Sequence, residues 1–425
     1  MRRLFLTGFL ALVGMGLFAQ SVDKAKDLLK SNKLADAKTE IDKVLAVEKN
    51  QKNAEAWYNK LKIYNAIAAN PQLSGQFPDA RDQAFDALKK YVDLDEKDKK
   101  LVLLQLDGYK PVNEIYQGYF QVGANDYNGG KYDSALMNFN GALQTSAYMN
   151  SKKWTTLIID TTSTLYAGIS AEKAGKKDTA SIYYSRLADA KISKINNSNM
   201  IDIYKWLVDY YNTKKDEANT KKYIGIAKEL YPDDLFWPST ELDIARAKGN
   251  KDSLFVIYDT IVAHFPKNYL FFFNFGLELY QYASDTSSGQ KPANADALIA
   301  KAQDNLKKCL ELQPDYPQAA LVLGQISYNA GVDLQGQTKK IPGKAPDDIK
   351  KRADLRIAAG KKFDEAIPYF EKVDQDLGSK GKLKMDEKGA LKDAYDLLIT
   401  IYETKGIKDK AEAYTNKFND VDKAH

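Results

Sequence analysis

The sequence is poor in the residues that most often carry catalysis or bind metals. Its 425 residues include one cysteine, Cys309, and two histidines, His264 and His425. One cysteine cannot form an internal disulfide, so stability must come from buried apolar area. No HExxH motif, CxxC motif or paired-histidine spacing is present. We therefore expect neither a bound metal nor a cofactor.

Motifs of other active sites are also missing. The stretch GVDLQGQT (331–338) has the two glycines of a phosphate loop, but Gln337 stands where that loop requires lysine. No G-x-S-x-G elbow occurs. Cys309 has no histidine near it in sequence, and we expect a buried, inert thiol. His264 precedes Pro266 closely, which predicts a surface position near a helix end. We therefore expect no catalytic residues and no enzyme activity.

The charge balance gives little reason to expect a nucleic acid partner. The formal net charge at pH 7 is +5, and loss of Arg2 and Arg3 would reduce it further. Most basic side chains are lysines, whereas recognition of phosphates and bases favours the planar fork of arginine. A solvated lysine surface accounts for this composition.

The N-terminal segment 1–20 has the composition of a secretory signal. Arg2 and Arg3 precede the apolar stretch Leu4–Ala19, which is too short to cross a bilayer comfortably. We expect cleavage after Ala19 or Gln20, leaving no integral membrane segment; an uncleaved anchor is the alternative. The junction lacks a lipoprotein cysteine and resembles that of exported Bacteroidota proteins. This implies a periplasmic location, with outer-membrane association or secretion left open.

One spacing of small residues recurs along the chain. A small or apolar residue, a glycine seven residues later and an alanine twelve residues later occur at Gly123, Gly130 and Ala135, at Gly168, Gly175 and Ala180, and at Ile399, Gly406 and Ala411. The second position predicts the end of one helix, because glycine adopts left-handed conformations cheaply. The alanine then begins the apolar face of a second helix. The pattern predicts repeated helical hairpins.

These residues resemble the tetratricopeptide repeat (TPR), a helix–turn–helix unit of about 34 residues. Tyr119, Tyr204 and Tyr395 match its first aromatic position, and Trp57 does so in a more divergent copy. Pro232 and Pro266, which are one repeat length apart, and Pro314 match its closing proline. The resemblance implies an all-α solenoid, a right-handed superhelix of about nine units. It covers nearly all of the chain after the signal.

The repeat spacing also predicts how the chain is organised. Units are expected to begin near Val22, Ala54, Tyr116, Thr161, Ile201, Leu235, Tyr269, Pro317 and Lys392. We expect a signal peptide (1–20), divergent N-terminal units (21–115), central units (116–316) and C-terminal units (317–425). An irregular connection is predicted within 93–115, a polar loop at 284–296 and a long inserted loop at 332–350, which is rich in glycine, proline and lysine.

The aromatic run at 269–281 falls on the first helix of the seventh unit. Phe272, Phe275, Gly276 and Leu279 are predicted to be core, and Phe271 to pack on the preceding helix. Leu270, Phe273, Leu277 and Tyr280 form the remaining stripe of this helix. In TPR proteins, the corresponding stripe lines the concave groove that receives peptides. Applied to neighbouring units, this resemblance implies a groove lined by Lys205, Asp209, Asp243, Arg246, Leu270, Phe273, Leu277, Tyr280, Gln325 and Tyr328. The alternative is that packing within the protein buries this face.

The function implied is a non-catalytic scaffold of the bacterial envelope. It would bind a protein partner, as an extended peptide or an amphipathic helix, in the groove. A different possibility is glycan or nutrient capture, as in SusD-like helical-repeat proteins. Those proteins are lipid-anchored, and this chain lacks the anchoring cysteine.

Overall fold

The described part of the molecule is built almost entirely of helices. The computed structural model describes residues 21–96, 100–287, 290–343 and 345–424; the predicted signal peptide at 1–20 lies outside them. Within these ranges the strands are β1 (Lys194–Ile195) and β2 (Ser198–Asn199), which pair antiparallel. The chain divides into two compact units, the first ending at Asp234 and the second starting at Leu235.

The first unit is a series of helical hairpins. Its helices are α1 (21–30), α2 (Leu34–Ala46), α3 (Ala54–Ala69), α4 (Ala80–Asp95), α5 (Val102–Leu106), α6 (Lys110–Asn128), α7 (Tyr132–Ser151), α8 (Thr161–Lys173), α9 (Lys177–Asp189), α10 (Ile201–Thr213) and α11 (Glu217–Leu230), with a 3-10 turn at Glu48–Lys52. The hairpins pair α1 with α2, α3 with α4, α6 with α7, α8 with α9 and α10 with α11.

The second unit continues the same construction. Its helices are α12 (Phe236–Ala247), α13 (Lys251–His264), α14 (Tyr269–Ser284), α15 (Ala295–Leu312), α16 (Pro317–Lys339), α17 (Pro346–Leu377), α18 (Met385–Thr404) and α19 (Lys408–Ala424). They pair consecutively into four hairpins. With the five of the first unit, the described residues form nine hairpins. The prediction of an all-α fold of tandem TPR-type units is confirmed.

Local signals place the helix ends where the sequence predicts them. Gly130, Gly175 and Gly406 have φ of 73°, 76° and 72°, so each terminates a first helix in the left-handed region. Pro232, Pro266 and Pro314 each lie two residues after a second helix ends. Five predicted unit starts coincide with the first residue of a helix, at Ala54, Thr161, Ile201, Tyr269 and Pro317.

The aromatic run of α14 contributes to the core of the second unit. Phe275 is fully buried and stacks on Tyr258, with ring centroids 4.9 Å apart and planes 5° apart. Phe271 packs on Phe265 at 5.6 Å, beside the end of α13. Leu279 and Gly276 are also buried, as predicted. Phe272 differs from the prediction, since it is only half-buried.

The prediction of a long inserted loop at 332–350 is wrong. Helix α16 continues to Lys339, and α17 begins at Pro346. Proline is accommodated there because the first helical residue needs no backbone N–H partner. Gly331 permits close packing, since a Cβ on it would lie 2.7 Å from the ring of Phe363. Gly331 precedes the predicted loop; within it, Gly336 lies inside α16 with nothing within 4 Å of a Cβ placed on it, and Pro346 starts α17.

The other two irregular segments agree with the sequence. The connection between α14 and α15 runs from Asp285 to Asn294, within the polar loop predicted at 284–296. Within 93–115, Lys100 and Leu101 (φ 51° and 58°) precede the short helix α5, and Gly108 and Tyr109 (φ 58° and 59°) follow it; all four are left-handed. These four residues explain why this stretch does not fit the repeat.

Candidate interaction surface

The residues predicted to line a groove are divided between the two units. Lys205 and Asp209 lie on α10 in the first unit, whereas the other eight lie on α12, α14 and α16 in the second.

Helix α14 carries a row of partly covered apolar side chains. Leu270, Phe273, Leu277 and Tyr280 follow one another at i, i+3, i+7 and i+10, so they share one face of the helix. Leu270 is 43% exposed, and the other three are half-buried. The row is therefore neither fully buried nor fully exposed to solvent. We call these four residues the α14 row.

Two further aromatic rings extend the α14 row: Tyr269, at the start of α14, and Tyr316, in the connection before α16. Phe273 meets the ring of Tyr316 edge-on, with centroids 5.0 Å apart and planes at 75°. Tyr269 approaches the same ring at 5.1 Å and 66°. Burial raises the pKa of Tyr316, so its hydroxyl stays neutral and the patch carries no charge. Three rings thus form an apolar patch beside the start of α16.

Polar groups lie at the other end of the α14 row. The side-chain amide of Asn329, on α16, donates a hydrogen bond of 2.6 Å to the hydroxyl of Tyr280. Gln325 lies one turn earlier on α16 and is half-buried. Both amides can donate and accept hydrogen bonds. The α14 row therefore runs from an aromatic patch to amide groups.

Tyr328 lies against the second helix of its own hairpin. Its ring is 5.6 Å from that of Phe363, on α17. Burial raises its pKa, with a smaller contribution from the Asp396 carboxylate on α18. The structure thus places Tyr328 in contact with α17 and near α18.

Arg246 and Asp243 belong to an ionic network that ties α12 to α13 and α14. Arg246 Nε lies 2.8 Å from Glu278 Oε1, and its Nη1 lies 3.2 Å from Asp243 Oδ1. Its Nη2 donates to the Tyr258 hydroxyl at 2.6 Å. Lys251 Nζ reaches Glu278 Oε2 at 3.2 Å. Burial alone would raise the pKa of Glu278, but the two cations hold it below its ordinary value.

The two predicted residues of the first unit have different environments. Lys205 Nζ makes an ion pair of 2.8 Å with Asp234 Oδ2, and both side chains are largely covered. Asp209 lies one turn further along α10 and lines a cavity that also contains Trp206 and Tyr210. Lys205 is therefore engaged within the unit, whereas Asp209 faces open space.

Sequence reasoning missed several residues that shape these surfaces. Tyr316 lies outside the helices that the repeat spacing places, so the spacing gave no reason to include it. Glu278 and Asn329 contact predicted residues through side chains on adjacent helices. Trp206 precedes Tyr210 by one turn, and this i, i+4 aromatic pair was the signal available in the sequence.

Cys309 and His264, the residues with potential chemistry, occupy different environments. In the described ranges, no group of three or more His, Cys, Asp or Glu residues could hold a metal ion. Cys309 is fully buried, and burial raises the pKa of its thiol to about 12. His264 is exposed at the last residue of α13. Among the same residues, none of the helices combines the length and apolar character that a membrane span requires.

Comparisons with known proteins give similarity of fold only. The sequence matches no family model and no curated protein. Part of a TPR repeat-containing protein from Cytophaga hutchinsonii is 15% identical, covering 72% of this chain and 96% of its own, with a TM-score of 0.41. A TPR protein from Bacteroides fragilis is 14% identical, covering 66% of this chain and 98% of its own, with a TM-score of 0.29. Pseudomonas aeruginosa PilF is 11% identical, covering 61% of this chain and 97% of its own, with a TM-score of 0.25.

Proposed function

We propose that the protein is a non-catalytic scaffold that binds a partner protein through the α14 row and the neighbouring side chains of α16. The observation that carries this proposal is the half-buried state of the row. A fully buried row would be core, and isolated exposed apolar residues would need no explanation. Here an exposed leucine, two aromatic rings and a second leucine share one helix face.

The dimensions of the α14 row suit a short segment of a partner. The ten steps from Leu270 to Tyr280 correspond to about 15 Å along the helix axis, since an α-helix rises about 1.5 Å per residue. An extended peptide would cover that length with about four or five residues, at about 3.3 Å each. Aromatic side chains in pockets commonly supply most of the affinity of such interfaces. The amides of Gln325 and Asn329 would pair with the peptide's backbone groups.

The test is a partner-binding experiment with a matched control. The partner is captured with the wild-type protein and purified, and its affinity is measured by calorimetry. Replacing both Phe273 and Tyr280 with alanine should weaken binding at least tenfold, because residues of this kind often contribute about 2 kcal/mol or more. The control replaces two exposed apolar residues away from the row, Val256 (65% exposed) and Ile357 (60% exposed), with alanine.

The control variant should bind like the wild type. Equal binding by the Phe273 and Tyr280 double variant, with helical content unchanged, would remove the α14 row from the interface. A matching loss in both variants would show a general loss of folding.

We also propose that the scaffold works in the bacterial cell envelope. The support is the composition of residues 1–20, with Arg2 and Arg3 before an apolar stretch. Cell fractionation should recover the protein outside the cytoplasm, with an N-terminus at Gln20 or Ser21. A cytoplasmic protein that retains Met1 would contradict this location.

A further inference from the structure

A cavity in the first unit lies between the start of α9 and the second half of α10. Its volume is about 380 Å3. The residues that line it are Lys177, Asp178, Trp206, Asp209, Tyr210, Thr213 and Lys214. It therefore combines aromatic rings with charges of both signs.

The aromatic wall of the cavity is held in place by its neighbours. Trp206 stacks on Tyr210 with ring centroids 5.1 Å apart and planes 9° apart. The ring of Tyr184 meets Trp206 edge-on at 5.0 Å and 78°. The Tyr210 hydroxyl donates a hydrogen bond of 2.6 Å to Asp178. These contacts fix the indole before any ligand arrives, so binding would not need to order it.

Two of the charges in the cavity neutralise each other. Lys214 Nζ lies 2.5 Å from Asp178 Oδ1 and 5.1 Å from the centre of the Tyr210 ring. The hydrogen bond from Lys214, together with that from Tyr210, lowers the pKa of Asp178. This carboxylate is consequently satisfied and unavailable to a ligand.

Asp209 is the carboxylate that has no such partner. Within the part of the chain that the structure describes, no donor or cation contacts it, and partial burial raises its pKa. Lys177 also lines the cavity. In the described part of the chain, Lys177 makes no ion pair with Asp209. A partly desolvated carboxylate is stabilised by a cation that brings its own hydrogen bonds.

We propose that this cavity binds an arginine side chain of a partner protein. The guanidinium would donate two hydrogen bonds to Asp209, and its flat face would stack against the wall formed by Trp206. Arginine suits the cavity better than lysine, because the guanidinium is planar, weakly hydrated and able to bind a carboxylate with two donors. An uncharged ligand would leave Asp209 desolvated without a counter-charge. This inference rests on the proposed scaffold function and names one feature of the partner.

The test uses the purified protein and a defined probe. The indole N–H signals of the tryptophans are followed by nitrogen-15 NMR, and the Trp206 signal is assigned with a Trp206→Phe variant. The probe is acetyl-Gly-Arg-Gly-amide, and its uncharged isostere contains citrulline. We expect the arginine probe to shift the Trp206 signal saturably, with a Kd of order 1 mM, and the citrulline probe to bind about tenfold more weakly.

A matched pair of variants separates the specific contact from general charge. Asp209→Asn removes the carboxylate and should weaken the arginine probe about tenfold. Asp202→Asn makes the same change on the same helix, at an exposed residue outside the cavity, and should leave binding unchanged. The Phe273 and Tyr280 double variant should also bind the probe normally. Failure of the α14 row and failure of this cavity can thus be distinguished.

Three results would overturn the proposal. One is equal binding of the arginine and citrulline probes, and another is unchanged binding by Asp209→Asn. The third is a Trp206 signal that responds to methyl glucoside but not to the arginine probe, which would assign the cavity to a sugar.

Discussion

Replacing Gly276 with alanine tests the close contact between α14 and α15. A Cβ on Gly276 would lie 2.7 Å from Cγ of Leu306 and 3.0 Å from the carbonyl oxygen of Ala302. Leu306 and Ala302 are both fully buried. The carbonyl belongs to the backbone of α15, so rotation of a side chain cannot relieve that contact. The helices must separate, or Leu306 must change its rotamer.

Two opposing effects determine how much Gly276→Ala changes the free energy of unfolding. Alanine is favoured over glycine inside a helix by about 1 kcal/mol. Overpacking a well-packed core costs about 1–3 kcal/mol. Carbon atoms pack best at about 3.5–4.0 Å, and the Gly276 contact is far shorter. We therefore take the upper part of the overpacking range. The variant should be less stable than the wild type by about 1–2 kcal/mol, the difference between these two effects.

A second glycine provides the control for helix propensity. Gly360 lies inside α17, and a Cβ there would meet nothing within 4 Å. Gly360→Ala should therefore stabilise the protein by up to about 1 kcal/mol. Both glycines lie in the second unit. In urea unfolding followed by circular dichroism, the two substitutions should therefore shift the midpoint in opposite directions. A Gly276→Ala midpoint at or above that of the wild type would refute the packing argument.

Two further predictions concern ionisable side chains. Cys309 should react with a thiol reagent orders of magnitude more slowly in the folded protein than in urea, because it is buried with a pKa raised to about 12; rapid labelling of the folded protein would contradict this. Glu278→Gln should lower stability by roughly 1 kcal/mol at neutral pH, because it removes the charge paired with Arg246 and Lys251. Since that pairing holds the folded pKa of Glu278 below 4.5, its contribution is present above pH 4.5 and is lost as the pH falls through the folded pKa. Denaturation at a series of pH values should show the two proteins converging in acid, and a constant gap would count against the pairing.

The sequence predicted those parts of the fold that depend on local requirements. A left-handed residue at the end of a helix strongly favours glycine, so Gly130 and Gly406 marked the ends of first helices directly. The error at 332–350 has the opposite cause. Gly336 lies inside α16, where a Cβ on it would meet nothing within 4 Å, and the helix continues past it to Lys339. A local reading of composition cannot distinguish a glycine that ends a helix from one inside a helix that continues.

The candidate surface was harder to predict than the fold. The repeat spacing placed Arg246 and Tyr280 at equivalent positions on first helices, one repeat length apart. Their environments nevertheless differ, because Arg246 pairs with Glu278 whereas Tyr280 accepts a hydrogen bond from Asn329. Equivalent positions share a backbone direction but not their neighbours. Whether such a side chain contacts a neighbouring helix or faces solvent therefore depends on residues at positions that the repeat pattern does not specify.

The choice between tyrosine and phenylalanine shows which aromatic residues hold the hairpins together. The chain contains 27 tyrosines and 17 phenylalanines. Many tyrosines donate to a carboxylate on another element, as Tyr58 does to Asp107 at 2.6 Å and Tyr402 does to Glu371 at 3.0 Å. Such a ring fills apolar space while its hydroxyl links two elements.

The α14 row departs from this use of tyrosine. Phe273 is half-buried and has no hydroxyl, so its partial exposure is not explained by a polar link of the kind that Tyr58 makes. Its one described ring partner, Tyr316, covers it from one side, edge-on. Closing the remaining side would remove apolar surface from water, which is favourable by about 25 cal/mol per Å2. A partner that covered this side of Phe273 would gain that stabilisation, which is the physical basis of the proposed interface.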